Sequence, residues 1–161
     1  MTNKKSGKKI LLASCFLLFT SLLITSCSNP VLQKQEKEQT QKLINQVQNS
    51  KLIILDIYHN RCESCKFIEP VIEELQANYS KNPNISFLRY DLSNSFTIFK
   101  SRKIAKEIGI ENIYKTQRYS GVVLLIDTKD KQVLDTLIAE YNIERYNQII
   151  EKRLNETQHT L

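Results

Sequence analysis

Side chains that bind metals or carry redox chemistry are scarce in this sequence. It has two histidines, His59 and His159, and four cysteines, Cys15, Cys27, Cys62 and Cys65. A structural zinc site normally takes four side-chain ligands. No second cysteine pair accompanies Cys62 and Cys65 to complete one, and His159 lies in a polar tail. Glycine and proline are also few, three of each, while isoleucine, lysine and asparagine abound; this is read as genomic bias without functional content. No internal repeat and no second folded domain are evident. Residues 1–26 contain no acidic side chain at all, and that absence bears on location.

The acid-free segment opens with Lys4, Lys5, Lys8 and Lys9 and continues as an apolar run from Ile10 to Ile24. A basic head before an apolar stretch too short to span a bilayer comfortably has the form of a secretory signal peptide. The run ends in Ile24-Thr25-Ser26-Cys27, which resembles a bacterial lipobox. The resemblance implies diacylglycerol on Cys27 and cleavage in front of it. The mature chain would then be anchored by several acyl chains, palmitate among them, which hold far more firmly than one. Leu12-Ala13-Ser14-Cys15 is similar, but too little apolar sequence precedes Cys15 to hold it in a membrane. An uncleaved N-terminal anchor is the alternative. Both place the rest of the chain in the bacterial cell envelope, attached to a membrane and facing the periplasm or the extracellular side. Without the four leader lysines the net charge falls from +6 to +2 for residues 27–161. No basic stripe is evident there from the sequence, so nucleic acid is not an expected partner.

The chain then divides into a signal peptide (1–26), the lipidated cysteine with a polar tether (27–37), one folded domain (38–156) and a polar tail (157–161). Leu43, Ile44 and Val47 fall at helical spacing and predict an amphipathic helix over about 38–49. Leu52 to Tyr58 is a continuous apolar, β-branched run and predicts a buried strand. After the loop His59-Asn60-Arg61, Phe67, Ile68, Val71, Ile72, Leu75 and Tyr79 repeat at helical spacing, predicting a helix over about 62–79. Strands are expected at 85–91, 122–126 and 133–139. Phe96, Ile98, Phe99, Ile104, Ala105 and Ile108 mark a helix that Gly109 stops, and a last helix covers about 142–154. The order α-β-α-β-α-β-β-α defines an α/β sandwich with helices on both sheet faces.

Cys62 and Cys65 therefore stand where a strand and short loop enter a helix. In an oxidising compartment a Cys-x-x-Cys pair can be a redox couple, a metal site or a small structural disulfide. The loop is too small for the last to stabilise much, and copper(I) remains possible because it accepts soft sulfur ligands. A first-turn cysteine has its thiolate stabilised by unpaired backbone N–H groups and the helix dipole. Cys62 is thus the expected attacker and Cys65, one turn on, the buried resolver. His59 would favour the Cys62 thiolate if protonated beside it. Glu63 would raise the Cys62 pKa, which favours a reducing or moderate potential.

The stretch Leu55-Asp56-Ile57-Tyr58-His59-Asn60-Arg61-Cys62-Glu63-Ser64-Cys65-Lys66 resembles the active-site segment of the thioredoxin family. The resemblance spans about residues 51–154. It implies a three-layer α/β/α sandwich around a mixed sheet of about four strands. It implies also that Asp56 is the buried acid assisting proton transfer at Cys65, that Lys66 is a common family residue, and that Pro70 is the family's helix-kinking proline. Tyr58 stands where many thioredoxins have tryptophan, and Ser64 lies within the motif. Thioredoxins carry a cis-proline before the next strand, facing the cysteines. Lys115-Thr116-Gln117-Arg118-Tyr119-Ser120-Gly121-Val122 has no proline; Ser120 or Gly121 takes its place, and Tyr119, Ser120 and Gly121 are the candidate substrate-facing loop. The activity implied is thiol–disulfide exchange with no cofactor beyond a redox-active Cys62–Cys65 disulfide. Its substrates would be disulfides of exported proteins such as cytochrome apoproteins, with a membrane thiol reductase as electron source. The missing proline leaves a second reading, a binding module that carries copper(I) on Cys62 and Cys65 or keeps them as a static disulfide.

Overall fold

The computed structural model describes residues 30–156. The segment expected to be a signal peptide, Cys27 and the tail with His159 lie outside the described residues. The chain divides into two compact units, residues 1–37 and 38–161. In the first, residues 30–37 begin a helix, α1 (Pro30–Asn49), where a polar tether was expected. Gln, Lys and Glu are strong helix formers, and proline suits a first helical position. A helix without an apolar stripe simply gives no periodic signal. No helix among the described residues is long and apolar enough to cross a membrane.

The second unit is built on four strands, β1 (Leu52–Tyr58), β2 (Ile85–Asp91), β3 (Val122–Asp127) and β4 (Val133–Ile138), in the order β2-β1-β3-β4. β1 runs parallel to β2 and antiparallel to β3, and β3 runs antiparallel to β4. The sheet is therefore mixed, as expected. Helix α2 (Glu63–Asn78) makes the crossover from β1 to β2, the connection that parallel neighbours require. Helices α3 (Ser95–Glu107) and α4 (Glu111–Thr116) precede β3, and α5 (Ile143–Glu156) closes the domain.

Period-2 alternation divides β1 between two cores. Ile53, Leu55 and Ile57 pack with Ile44 and Val47 of α1 and Ala105 of α3, while Leu52 and Ile54 pack with Ile68, Ile72 and Leu75 of α2 and Tyr146 and Ile150 of α5. Helices thus cover both faces in three layers. Asp56 follows Leu52 and Ile54 in register, so its carboxyl belongs to the α2 face. Edge strand β4 is fastened by Arg153, which donates to Asp135 and to the Leu134 carbonyl.

The short helix α4 was not anticipated, because six residues are too few to display a period. It buries Tyr114, which stacks on Tyr90 with ring centroids 3.9 Å apart. Three residues counted in apolar periods also face solvent: Phe67 is 61% exposed, and Phe96 and Phe99 are each 70% exposed.

Candidate active site

β1 delivers the site. Its buried run ends at half-buried Tyr58, and the chain turns through His59, Asn60 and Arg61. The turn is fixed locally: the Arg61 amide donates to His59 Nδ1 (2.9 Å), and the Cys62 amide to the His59 carbonyl (3.0 Å). The Asn60 amide donates to Ser93 Oγ at 3.0 Å, tying this loop to the one after β2. His59 thus acts as a turn brace, with its Nδ1 engaged by backbone.

Cys62 is the N-cap of α2, with φ −90° and ψ 118°, and its sulfur accepts the Cys65 amide at 3.3 Å. The thiol takes the place that Ser, Thr, Asp or Asn ordinarily fills. Partial burial works to raise its pKa. Hydrogen bonds from the Cys65 thiol, the Ser120 hydroxyl and the Cys65 and Ser64 amides outweigh that and hold it below the ordinary thiol value. Cys65 is only 2% exposed and sits over the Ile57 carbonyl, 3.9 Å from its sulfur. Burial, with the neighbouring Cys62 acting in the same direction, pushes its thiol up to about 11. Both cysteines are free thiols here.

Glu63 departs from expectation. Its carboxylate lies 2.7 Å from the Lys66 ammonium, both side chains well exposed. The charge expected to raise Cys62 is turned to a neighbour one helical turn on, and Cys62 is lowered nonetheless. The argument for a reducing potential from Glu63 loses its basis. Pro70 lies within α2 without ending it.

Asp56 is buried, 3% exposed. Arg89, its Cα partner across the parallel β1–β2 ladder, donates Nε to its Oδ2 at 2.8 Å and a second nitrogen to Glu69 at 2.9 Å. The guanidinium also lies 4.4 Å above the Tyr58 ring, a cation–π distance. Burial nevertheless outweighs Arg89, leaving the Asp56 carboxyl above the ordinary carboxylate range. Neither Arg89 nor Glu69 was legible beforehand. Arg89 is the one charged residue inside β2 before its last position, but only the register reveals its partner.

The loop before β3 closes over the pair. Gly121 has φ +75°, and a Cβ there would stand 3.0 Å from Ser64 Cβ and 3.4 Å from Cys62 Sγ. Its amide donates to the Ile57 carbonyl at 2.9 Å. Proline holds φ near −65° and has no N–H, so it cannot stand at 121. Ser120 is the position left for the family's proline, and its hydroxyl is within hydrogen-bond reach of both cysteines. The described residues contain no cis peptide. Tyr119 is 79% exposed. The structure therefore brings together Cys62, Ser64, Cys65, Ser120 and Gly121, pairs Glu63 with Lys66 on the surface and leaves Tyr119 exposed; Asp56 lies buried in β1 beside Arg89. Among the described residues no three His, Cys, Asp or Glu side chains converge as a metal site would need.

A mixed α/β sheet that presents a Cys-x-x-Cys pair at a helix start, one thiol lowered and one raised, defines the class of dithiol proteins. A model of the thioredoxin family matches residues 31–115, and the chain belongs to that family. Among solved structures it is similar to the oxidised thioredoxin of Plasmodium falciparum: 20% identity, 70% of this chain and 89% of that one, TM-score 0.43. It is similar also to a thioredoxin of Nicotiana alata, 20% identical over 73% of this chain and 85% of that one, TM-score 0.44. Mitochondrial thioredoxin 3 of Saccharomyces cerevisiae is 21% identical, covering 70% and 88%, TM-score 0.42. No curated protein sequence matches.

Proposed function

We propose that the chain is a thiol–disulfide oxidoreductase of the bacterial envelope, anchored by lipid on Cys27 and acting on disulfides of exported proteins. The observation that carries this is the opposed state of the two thiols: Cys62 partly exposed with its pKa lowered, Cys65 buried with its pKa raised. The Cys62 thiolate attacks one sulfur of a substrate disulfide, forming a mixed disulfide and releasing the other sulfur as a thiolate that takes up a proton. Cys65 gives its proton towards Asp56, and its thiolate attacks Cys62 Sγ. The second substrate sulfur leaves and is protonated. The substrate gains two electrons and two protons, and the protein is left with a Cys62–Cys65 disulfide. A membrane thiol reductase returns the two electrons. Asp56 suits the proton step because its raised pKa makes its carboxylate a better proton acceptor than an ordinary aspartate.

Removing the resolving thiol tests this. Cys65→Ala should accumulate mixed disulfides between Cys62 and envelope proteins, visible as high-mass species that a reductant collapses. A Cys65→Ala protein that traps nothing, while the wild type binds copper(I) stoichiometrically, would move the assignment to the metal carrier. One observation favours that second reading: Ser120, and not a proline, stands beside the two thiols at the family's proline position.

A further inference from the structure

Helix α3 turns Ile98, Ile104 and the fully buried Ala105 to the core. Its opposite face carries Phe96 and Phe99, each 70% exposed. Single exposed apolar residues are ordinary, but two phenylalanines three residues apart on one helix are neighbours on its surface. Lys103 and Lys106, both exposed, continue the same stripe at i+7 and i+10 from Phe96, with exposed Arg102 beside it. The helix carries Lys100, Arg102, Lys103 and Lys106 against Glu107, a net +3. Residues 27–161 together are only +2, so the rest of that chain is slightly acidic. Positive charge is gathered on the element that also exposes two large aromatic rings.

We propose that this face of α3 docks on an anionic bilayer surface, with Phe96 and Phe99 in the interface and Arg102, Lys103 and Lys106 among the lipid headgroups. Aromatic rings interleaved with cations on one helix face are the arrangement of interfacial helices. The inference rests on the envelope reading for its choice of a bilayer as the surface at hand. One feature agrees with it: the hydrogen bond from Asn60 to Ser93 lies three residues before Phe96, so docking would hold the Cys62 loop close to the bilayer. There it could meet membrane-bound partners.

The sequence contains no tryptophan, so Phe99→Trp in the full chain provides a single emitter on this face. The protein is mixed with vesicles of phosphatidylglycerol and phosphatidylcholine, and separately with phosphatidylcholine alone. The expected result is a blue-shifted emission with the anionic vesicles, weaker with the neutral ones and reversed by salt. A lysine near an anionic surface contributes roughly fivefold to association. Lys103→Glu with Lys106→Glu should therefore lower the docked-to-undocked ratio by at least about 25-fold. No shift with anionic vesicles, or an equal and salt-indifferent shift in both mixtures, would overturn the proposal. So would a blue shift without vesicles: one growing with protein concentration would mean a second copy covers the face, and a constant one would mean the chain's own segment does. Lipid on Cys27 is read separately, from the mass of the peptide that carries it. A chain lacking that lipid still gives the emission result, so the two failures are distinct.

Discussion

Replacing Gly121 by alanine perturbs the site through one added carbon. Two effects combine. A left-handed backbone at a residue with Cβ costs about 1–2 kcal/mol, and φ at 121 is +75°. The new Cβ also stands 3.0 Å from Ser64 Cβ, well inside the optimum carbon contact of about 3.5–4.0 Å. The first turn of α2 must give way, and overpacking of this kind costs about 1–3 kcal/mol. Gly109 supplies the internal control. Its φ is +81°, but a Cβ there meets only the flexible Lys131 side chain, at 3.6 Å. Gly109→Ala therefore pays the backbone cost alone, and any entropy lost from the unfolded chain is common to both variants. For a domain of this size, 1 kcal/mol corresponds to roughly 3–5 °C in Tm. Gly121→Ala should melt roughly 3–15 °C below Gly109→Ala by calorimetry, with a matching gap in urea midpoints. Alkylation of Cys62 should slow in the Gly121 variant only, because the added carbon lies 3.4 Å from its sulfur. Equal melting temperatures for the two variants would refute the claim that the loop before β3 is packed against the cysteine turn.

Iodoacetamide at neutral pH should modify Cys62 alone, with a rate–pH midpoint below that of a free thiol; Ser120→Ala should move the midpoint up, and an unmoved midpoint would remove Ser120 from the site. Asp56 has a raised pKa in the folded state, so the stability it contributes is full below the ordinary carboxylate range and is lost as pH rises through the folded value. Asp56→Asn should accordingly gain on the wild type in urea melts between pH 4 and pH 7; a gap constant over that range would contradict the burial argument. Arg153→Ala removes the hydrogen bonds that fasten β4 to α5 and should lower stability by about 1–2 kcal/mol, measured by urea denaturation. Amide exchange should quicken in β4 first.

Much of this domain could be read before any coordinates, for local reasons. The run Leu52–Tyr58 is apolar because β1 is covered on both faces, and the single acid in it, Asp56, stands out for the same reason. The start of α2 was legible because strand, turn and cysteine pair lie consecutively in the chain. What escaped depends on contacts between distant segments. Arg89 meets Asp56 only through the register of β1 and β2, 33 residues apart in sequence. The pairing of Glu63 with Lys66 was local and could have been foreseen from i,i+3 spacing. Phe67, Phe96 and Phe99 joined apolar periods because a stripe counts hydrophobic residues without saying which edge of it reaches solvent. Ser120 and Gly121 were placed from the missing proline, but choosing between them needed the φ of Gly121 and the acceptor of its amide. The helix over residues 30–37 has no apolar pattern to announce it.

The central claim is that Cys62 and Cys65 interconvert between dithiol and disulfide as a working couple. Equilibration of the purified protein with glutathione or dithiothreitol buffers, free of metal, gives the reduction potential of the pair directly. The account predicts a reversible couple between roughly −120 and −270 mV, the span of disulfide-exchange proteins. A potential below about −300 mV, where structural disulfides lie, or a pair that cannot be oxidised reversibly, would contradict it.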